Sequence, residues 1–132
     1  MVDEKAAQQP DRSRGRSLAL LAFCEVSALA LWFSASAVVP SLIIEYDLSP
    51  GRASMMTSAV QIGFVVGTLI SALLSLADRL DLRRFFMFST LVAALANGLM
   101  LTVEPTSDVV IVLRFVTGIC MAGIYPVGMK MA

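Results

Sequence analysis

Two charged side chains stand inside long apolar stretches of this chain, and their types and positions could do chemistry. Glu25 is the single charge between residues 18 and 39, and Arg114 lies near the start of the apolar run 109–129. A charge in hydrocarbon costs roughly 2.5–3.5 kcal/mol on insertion scales, while each Leu, Ile, Phe or Val returns only about 0.3–0.6, so such residues persist where they face a cavity or a partner. An acid so placed is a candidate proton carrier. A guanidinium cannot deprotonate, so it must meet a carboxylate, a carbonyl or water. Glu25 sits about 10 Å below one boundary of its run and Arg114 about 8 Å below the opposite one, at 1.5 Å per residue. A direct ion pair is therefore not expected, and for Arg114 snorkelling to the outer interface stands as the alternative to a role inside the bundle. Ala28, Trp32 and Ser36 follow Glu25 at helical spacing, so the acid shares its face with small residues and one indole.

A third charged group is the stretch Asp78-Arg79-Leu80-Asp81-Leu82-Arg83-Arg84, five charges in seven residues between two apolar runs. It is expected to be a short turn at a membrane surface. Enzyme chemistry finds no support: there is no nucleophile–base pair, phosphate loop or cluster of metal ligands. The chain has no histidine and two cysteines, Cys24 and Cys120, both within apolar runs and read as packing residues. No metal and no cofactor is expected. The ten basic and ten acidic residues cancel, and no basic patch interleaved with aromatics suggests nucleic acid.

The elements that must position these residues are membrane spans. Hydrophobic residues make up 58% of the 132 and charged ones 15%, against about a quarter in soluble domains. Residues 1–17 form a polar segment, expected to be a flexible cytoplasmic tail, with Ser17 placed to cap the helix after it. Four spans follow at about 18–39, 53–77, 85–103 and 109–129, each near the ~20 residues that cross hydrocarbon. The first is expected to end at Pro40, and cleavage as a signal peptide is disfavoured by its length, its acid and the later spans. Gly63 and Gly67 in the second carry the spacing that lets membrane helices approach closely, and Gly118, Gly123 and Gly128 do the same in the fourth. Asn97 is the strongly polar member of the third, and Pro126 should kink the end of the fourth.

Basic residues set the orientation. Lys5, Arg12, Arg14 and Arg16 precede the first span, Arg79, Arg83 and Arg84 lie between the second and third, and Lys130 follows the fourth. Opposite these eight, the other two connections hold only Arg52. The positive-inside rule then puts both termini and the charged turn in the cytoplasm, as expected for a multi-pass protein of the cytoplasmic (inner) membrane.

The turn Leu76-Ala77-Asp78-Arg79 with Arg83 resembles the signature between the second and third helices of the major facilitator superfamily. Leu74 and Asp81 stand where that signature has glycine, and Leu82 where it has arginine. Arg114-Phe115-Val116-Thr117-Gly118 resembles the family's fourth-helix motif, and Val39-Pro40-Ser41-Leu42 leading to Leu48-Ser49-Pro50 resembles its first loop. The resemblance implies an all-α membrane protein whose four transmembrane helices are part of a major-facilitator-type bundle. It also implies secondary transport of a small solute by alternating access, with a cavity between two six-helix halves. The Asp78 turn would latch against the other half, and Arg114 would serve coupling or cavity electrostatics. The chain is then expected to be an amino-terminal portion needing further helices, or a partner chain, to complete its cavity. Glu25, Trp32 and Arg114 are the candidates for solute binding and proton coupling, and the lipid bilayer is the other expected partner. Two other readings stand beside it: a complete four-helix exporter resembling the small multidrug resistance family, and a non-transporting membrane assembly subunit.

Overall fold

The computed structural model describes residues 9–131, with the side chains of residues 14–76 and 79–130. Every regular element among the described residues is helical: α1 (Gln9–Tyr46), α2 (Pro50–Leu73), α3 (Leu76–Arg79), α4 (Leu82–Met100), α5 (Asp108–Ala122) and α6 (Tyr125–Met131). Among the described residues, three stretches are long and apolar enough to cross a membrane: Arg14–Tyr46, Pro50–Leu73, and Asp108–Lys130, which takes in α5 and most of α6. The expected third span falls on α4, whose 19 residues begin with Leu82-Arg83-Arg84 and include Ser89, Thr90 and Asn97. That polar content leaves α4 less apolar than its neighbours.

Helix α1 differs most from expectation. It runs unbroken for 38 residues, about 57 Å at 1.5 Å per residue, well beyond the hydrocarbon thickness. The polar segment is already helical from Gln9, so Ser17 lies inside α1 rather than capping it. Propagating a formed helix adds one hydrogen bond per residue fixed, which carries the turn structure outward through polar sequence. Pro40 also lies inside α1. It lacks the N–H that would bond the Ser36 carbonyl, but membrane helices absorb such a loss, and α1 continues to Tyr46. The reversal comes at Asp47, with φ of 49°, a left-handed conformation that Asp tolerates better than most residues.

Three other helix starts follow local chemistry. Ser49 caps α2 by accepting from the Arg52 N–H at 3.3 Å, with Pro50 in the first turn. Ser107 caps α5 by accepting from the Val109 N–H, and Asp81 caps α4 by accepting from the Arg83 and Arg84 N–H groups at 3.0 and 3.3 Å. Asp81 therefore has a structural use at a place where the resembled signature has glycine. The second helix ends at Leu73, four residues before the expected 77, because Ser75 takes a left-handed φ of 48° and starts the turn into α3.

The packing is organised around α2 and α5. Two buried clusters lie at different levels: Ala28, Ala93, Met121 and Ile124, and further along Leu48, Met56 and Val110. Many large apolar residues face outward, among them Phe23, Ile44, Leu73, Phe88 and Leu101, each more than 60% exposed. So much exposed apolar surface suits lipid, whereas soluble monomers rarely show extended patches of this kind.

Candidate functional site: the buried arginine and the acid of the first helix

Glycine creates the site's frame. A Cβ on Gly63 would collide with the Phe115 carbonyl, and one on Gly118 would collide with the Val60 carbonyl and stand 2.8 Å from the Phe64 nitrogen. One on Gly67 would lie 2.8 Å from the Ile119 oxygen and 2.9 Å from its Cα. The three glycines thus let the backbones of α2 and α5 touch, the contact mode that stabilises helix pairs where lipid removes the usual hydrophobic drive. Gly123 faces Ser89 and Phe85 of α4 in the same way. Where the pair leaves the membrane, Arg52 bonds Asp108 at 2.8 Å, a pair exposed enough to contribute at most about 1 kcal/mol.

Arg114 points into this frame and not toward the outer interface: it is 0% exposed. Its Nε donates to the Met56 carbonyl of α2 at 3.3 Å, and its two terminal nitrogens donate to the Leu31 and Trp32 carbonyls of α1 at 3.4 and 2.9 Å. The alternative of snorkelling to the outer interface is thereby set aside. The planar fork reaches two neighbouring helices at once, which a single ammonium could not do. Trp32, whose carbonyl is one of the acceptors, sets its ring edge-on to Phe64 of α2 with centroids 5.3 Å apart.

A polar cross-link lies about one turn further along α5, at Thr117, and the candidate residues did not include it. Asn97 of α4 donates to the Thr117 hydroxyl at 3.1 Å and to the Ala93 carbonyl at 2.9 Å, and accepts from the Ser34 hydroxyl of α1 at 3.4 Å. Thr117, fully buried, donates its own hydroxyl hydrogen bond to the Leu113 carbonyl at 2.9 Å. Asn97 was visible in the sequence as the polar residue of its helix, but its partners were not. Asn97→Leu should lower stability by about 0.6–1.7 kcal/mol, the range measured for hydrogen bonds between membrane helices. Thermal unfolding in detergent measures this, with Asn97→Gln as the variant that keeps the amide.

Glu25 does not meet Arg114. Its carboxylate turns toward α6, where Oε1 lies out of solvent without a hydrogen-bond partner and against Gly128, so that a Cβ on Gly128 would collide with it. The Leu31 and Trp32 carbonyls lie six and seven residues further along α1, about 10 Å at the helical rise. Ala28 on the same face is buried. Pro126 stands in the first turn of α6, directly after the interruption at Gly123 and Ile124, where it was expected to disturb the helix. Arg79, Arg83 and Arg84 are exposed around the α2–α4 turn, while Asp78 falls outside the described side chains. No group of metal ligands occurs among the described residues.

Apolar helices clasped by glycine, with a buried guanidinium bonded to two of them, define an integral membrane protein of the multi-pass helical type. The family model of the Major Facilitator Superfamily matches residues 21–132, so the chain belongs to that superfamily of transporters. No curated protein and no solved structure matched it. Membership sets aside the four-helix multidrug exporter.

Proposed function

We propose that this chain supplies the leading helices of a proton-coupled secondary carrier for a small organic solute, with Glu25 as the proton site and Arg114 as the residue that fixes α1 against α2 and α5. In this reading α4 is the third of four spans, α5 with α6 is the fourth, and residues 1–17 belong to the cytoplasmic side. The arginines of the α2–α4 turn lie on that side too, in the inner membrane of the cell. The basic bias of eight against one supports the orientation. Further helices, from the same polypeptide or from a partner, complete the cavity that Trp32 borders.

One observation carries the coupling assignment: Oε1 of Glu25 is out of solvent, unpaired, and pressed against a glycine of a short terminal helix. Taking up a proton neutralises that carboxyl, whereas releasing one demands water or a cation at the α1–α6 contact. Protonation and opening of that contact are thereby linked. Glu25→Gln should abolish accumulation of solute driven by a proton gradient in vesicles, tested with a panel of labelled sugars, organic acids and amphiphilic cations. Its unfolding temperature should stay at the wild-type value. Undiminished gradient-driven uptake by this variant removes the acid from the mechanism.

A further inference from the structure

A cleft of about 170 Å³ opens between α2, α4 and α5 beside the α2–α4 turn, walled by Gly67, Ile70, Phe85, Phe88 and Cys120. Among the described residues it carries no charged side chain. Arg83 and Arg84 directly precede its lining residue Phe85 in α4, both are exposed, and neither guanidinium has a carboxylate partner among the described residues. Arg84 and Phe88 are four residues apart in α4, so they lie on one stripe of the helix with their Cα atoms about 6 Å apart along its axis. Phe88 is 68% exposed and Ile70 45%, which leaves the cleft open sideways to the surrounding lipid.

We infer that this is a binding site for an anionic phospholipid, with the headgroup phosphate on Arg83 and Arg84 and one acyl chain in the cleft between Ile70 and Phe88. The N–H groups at the start of α4 are not the anion's receptors, because Asp81 already accepts from two of them. Recognition falls to the guanidinia, whose planar forks match a phosphate with paired bonds. The apolar wall selects a lipid over a soluble phosphate, since only a lipid fills both parts. Gly67 keeps the floor of the cleft low by allowing α5 against α2, so the same close approach that builds the helix pair shapes the pocket. The inference rests on α4 being a membrane span with its arginines at one interface.

Tandem mass spectrometry of the whole chain released from nanodiscs of mixed phosphatidylglycerol and phosphatidylcholine measures the lipid retained. The wild type should hold phosphatidylglycerol several-fold over phosphatidylcholine, R84K should keep that preference, and R83Q/R84Q should lose it. F88A should retain less of either lipid, and R52Q, at the opposite interface, should match the wild type. An unchanged preference in R83Q/R84Q overturns the site. Equal loss in R52Q, or displacement of the lipid by excess glycerol phosphate, also overturns it. Labelling of cysteines placed at Ser75 and Glu104 with an impermeant maleimide separates the two claims. Opposite sides with no lipid preference sinks the lipid site alone, whereas one side for both sinks the span and the site with it.

Discussion

Gly118→Leu will part α2 from α5, and the variant protein will unfold far below the wild-type temperature or fail to accumulate in the membrane. The Cβ at this position meets the Val60 carbonyl and the Phe64 nitrogen, both backbone atoms that cannot rotate away as a side-chain tip would. Overpacking usually costs about 1–3 kcal/mol, and a collision with main chain belongs at or beyond the top of that range. Gly118→Ala should lose less, because one methyl asks for a smaller separation. Gly98→Ala is the matching control. A Cβ there meets nothing within 4 Å, and replacing an exposed helical glycine by alanine should raise stability by roughly 0.5–1 kcal/mol. Thermal unfolding in detergent ranks the three variants. If Gly118→Leu melts with the wild type, the close approach of α2 and α5 is wrong.

The second large effect concerns Arg114, where two substitutions should have opposite consequences for stability. Arg114→Lys retains the buried charge but cannot reach the Met56 carbonyl and the α1 carbonyls together, so the ammonium is left poorly paired. Breaking up a buried charged network typically costs about 3–5 kcal/mol, and a drop in melting temperature should report it. Arg114→Met keeps much of the volume and removes the charge, and apolar replacement of buried ionic groups is often neutral or stabilising by about 1–4 kcal/mol. The carbonyls of Leu31, Trp32 and Met56 lie within helices, so losing the guanidinium does not strand them. Transport should fail in both variants, because neither fixes α1 to α2 and α5 in the same geometry. A methionine variant that is stable and still transports would show that Arg114 only fills space.

Hydropathy made the apolar helices legible, and the spacing of Gly63 and Gly67 allowed a neighbouring helix to approach closely without saying which one. Arg114 was equally conspicuous as a charge in hydrocarbon. Its direction was not, because its acceptors are carbonyls of Leu31, Trp32 and Met56, and a backbone carbonyl leaves no mark on residue identity. The same limit hid the Glu25 contact, whose partner is the bare Cα of Gly128. Pro40 misled for a different reason: the rule that proline ends a helix reflects the lost N–H bond and the ring's clash with the carbonyl four residues back, and membrane helices absorb that cost by local adjustment and alternative partners. The expected flexible segment before residue 18 missed the reach of α1 because composition reports what a segment can bury alone. It does not report what a long neighbouring helix can extend through it. Asn97 and Thr117 belong to different helices 20 residues apart, and their hydrogen bond depends on a rotation about each axis that periodicity does not fix.

The interruption between α5 and α6 has a mechanical meaning. Pro126 has no N–H to offer the Ala122 carbonyl, and the amides of Gly123 and Ile124 already close tight three-residue turns onto Cys120 and Met121 at 2.9 and 3.1 Å. The regular ladder of the helix is thus interrupted here. Arg114 lies on one side of the interruption, and Gly128, against the acid of α1, lies on the other. The contacts of the two charges thus fall on separate limbs of one interrupted helix, so a change at the Glu25 contact need not disturb the bonds of Arg114.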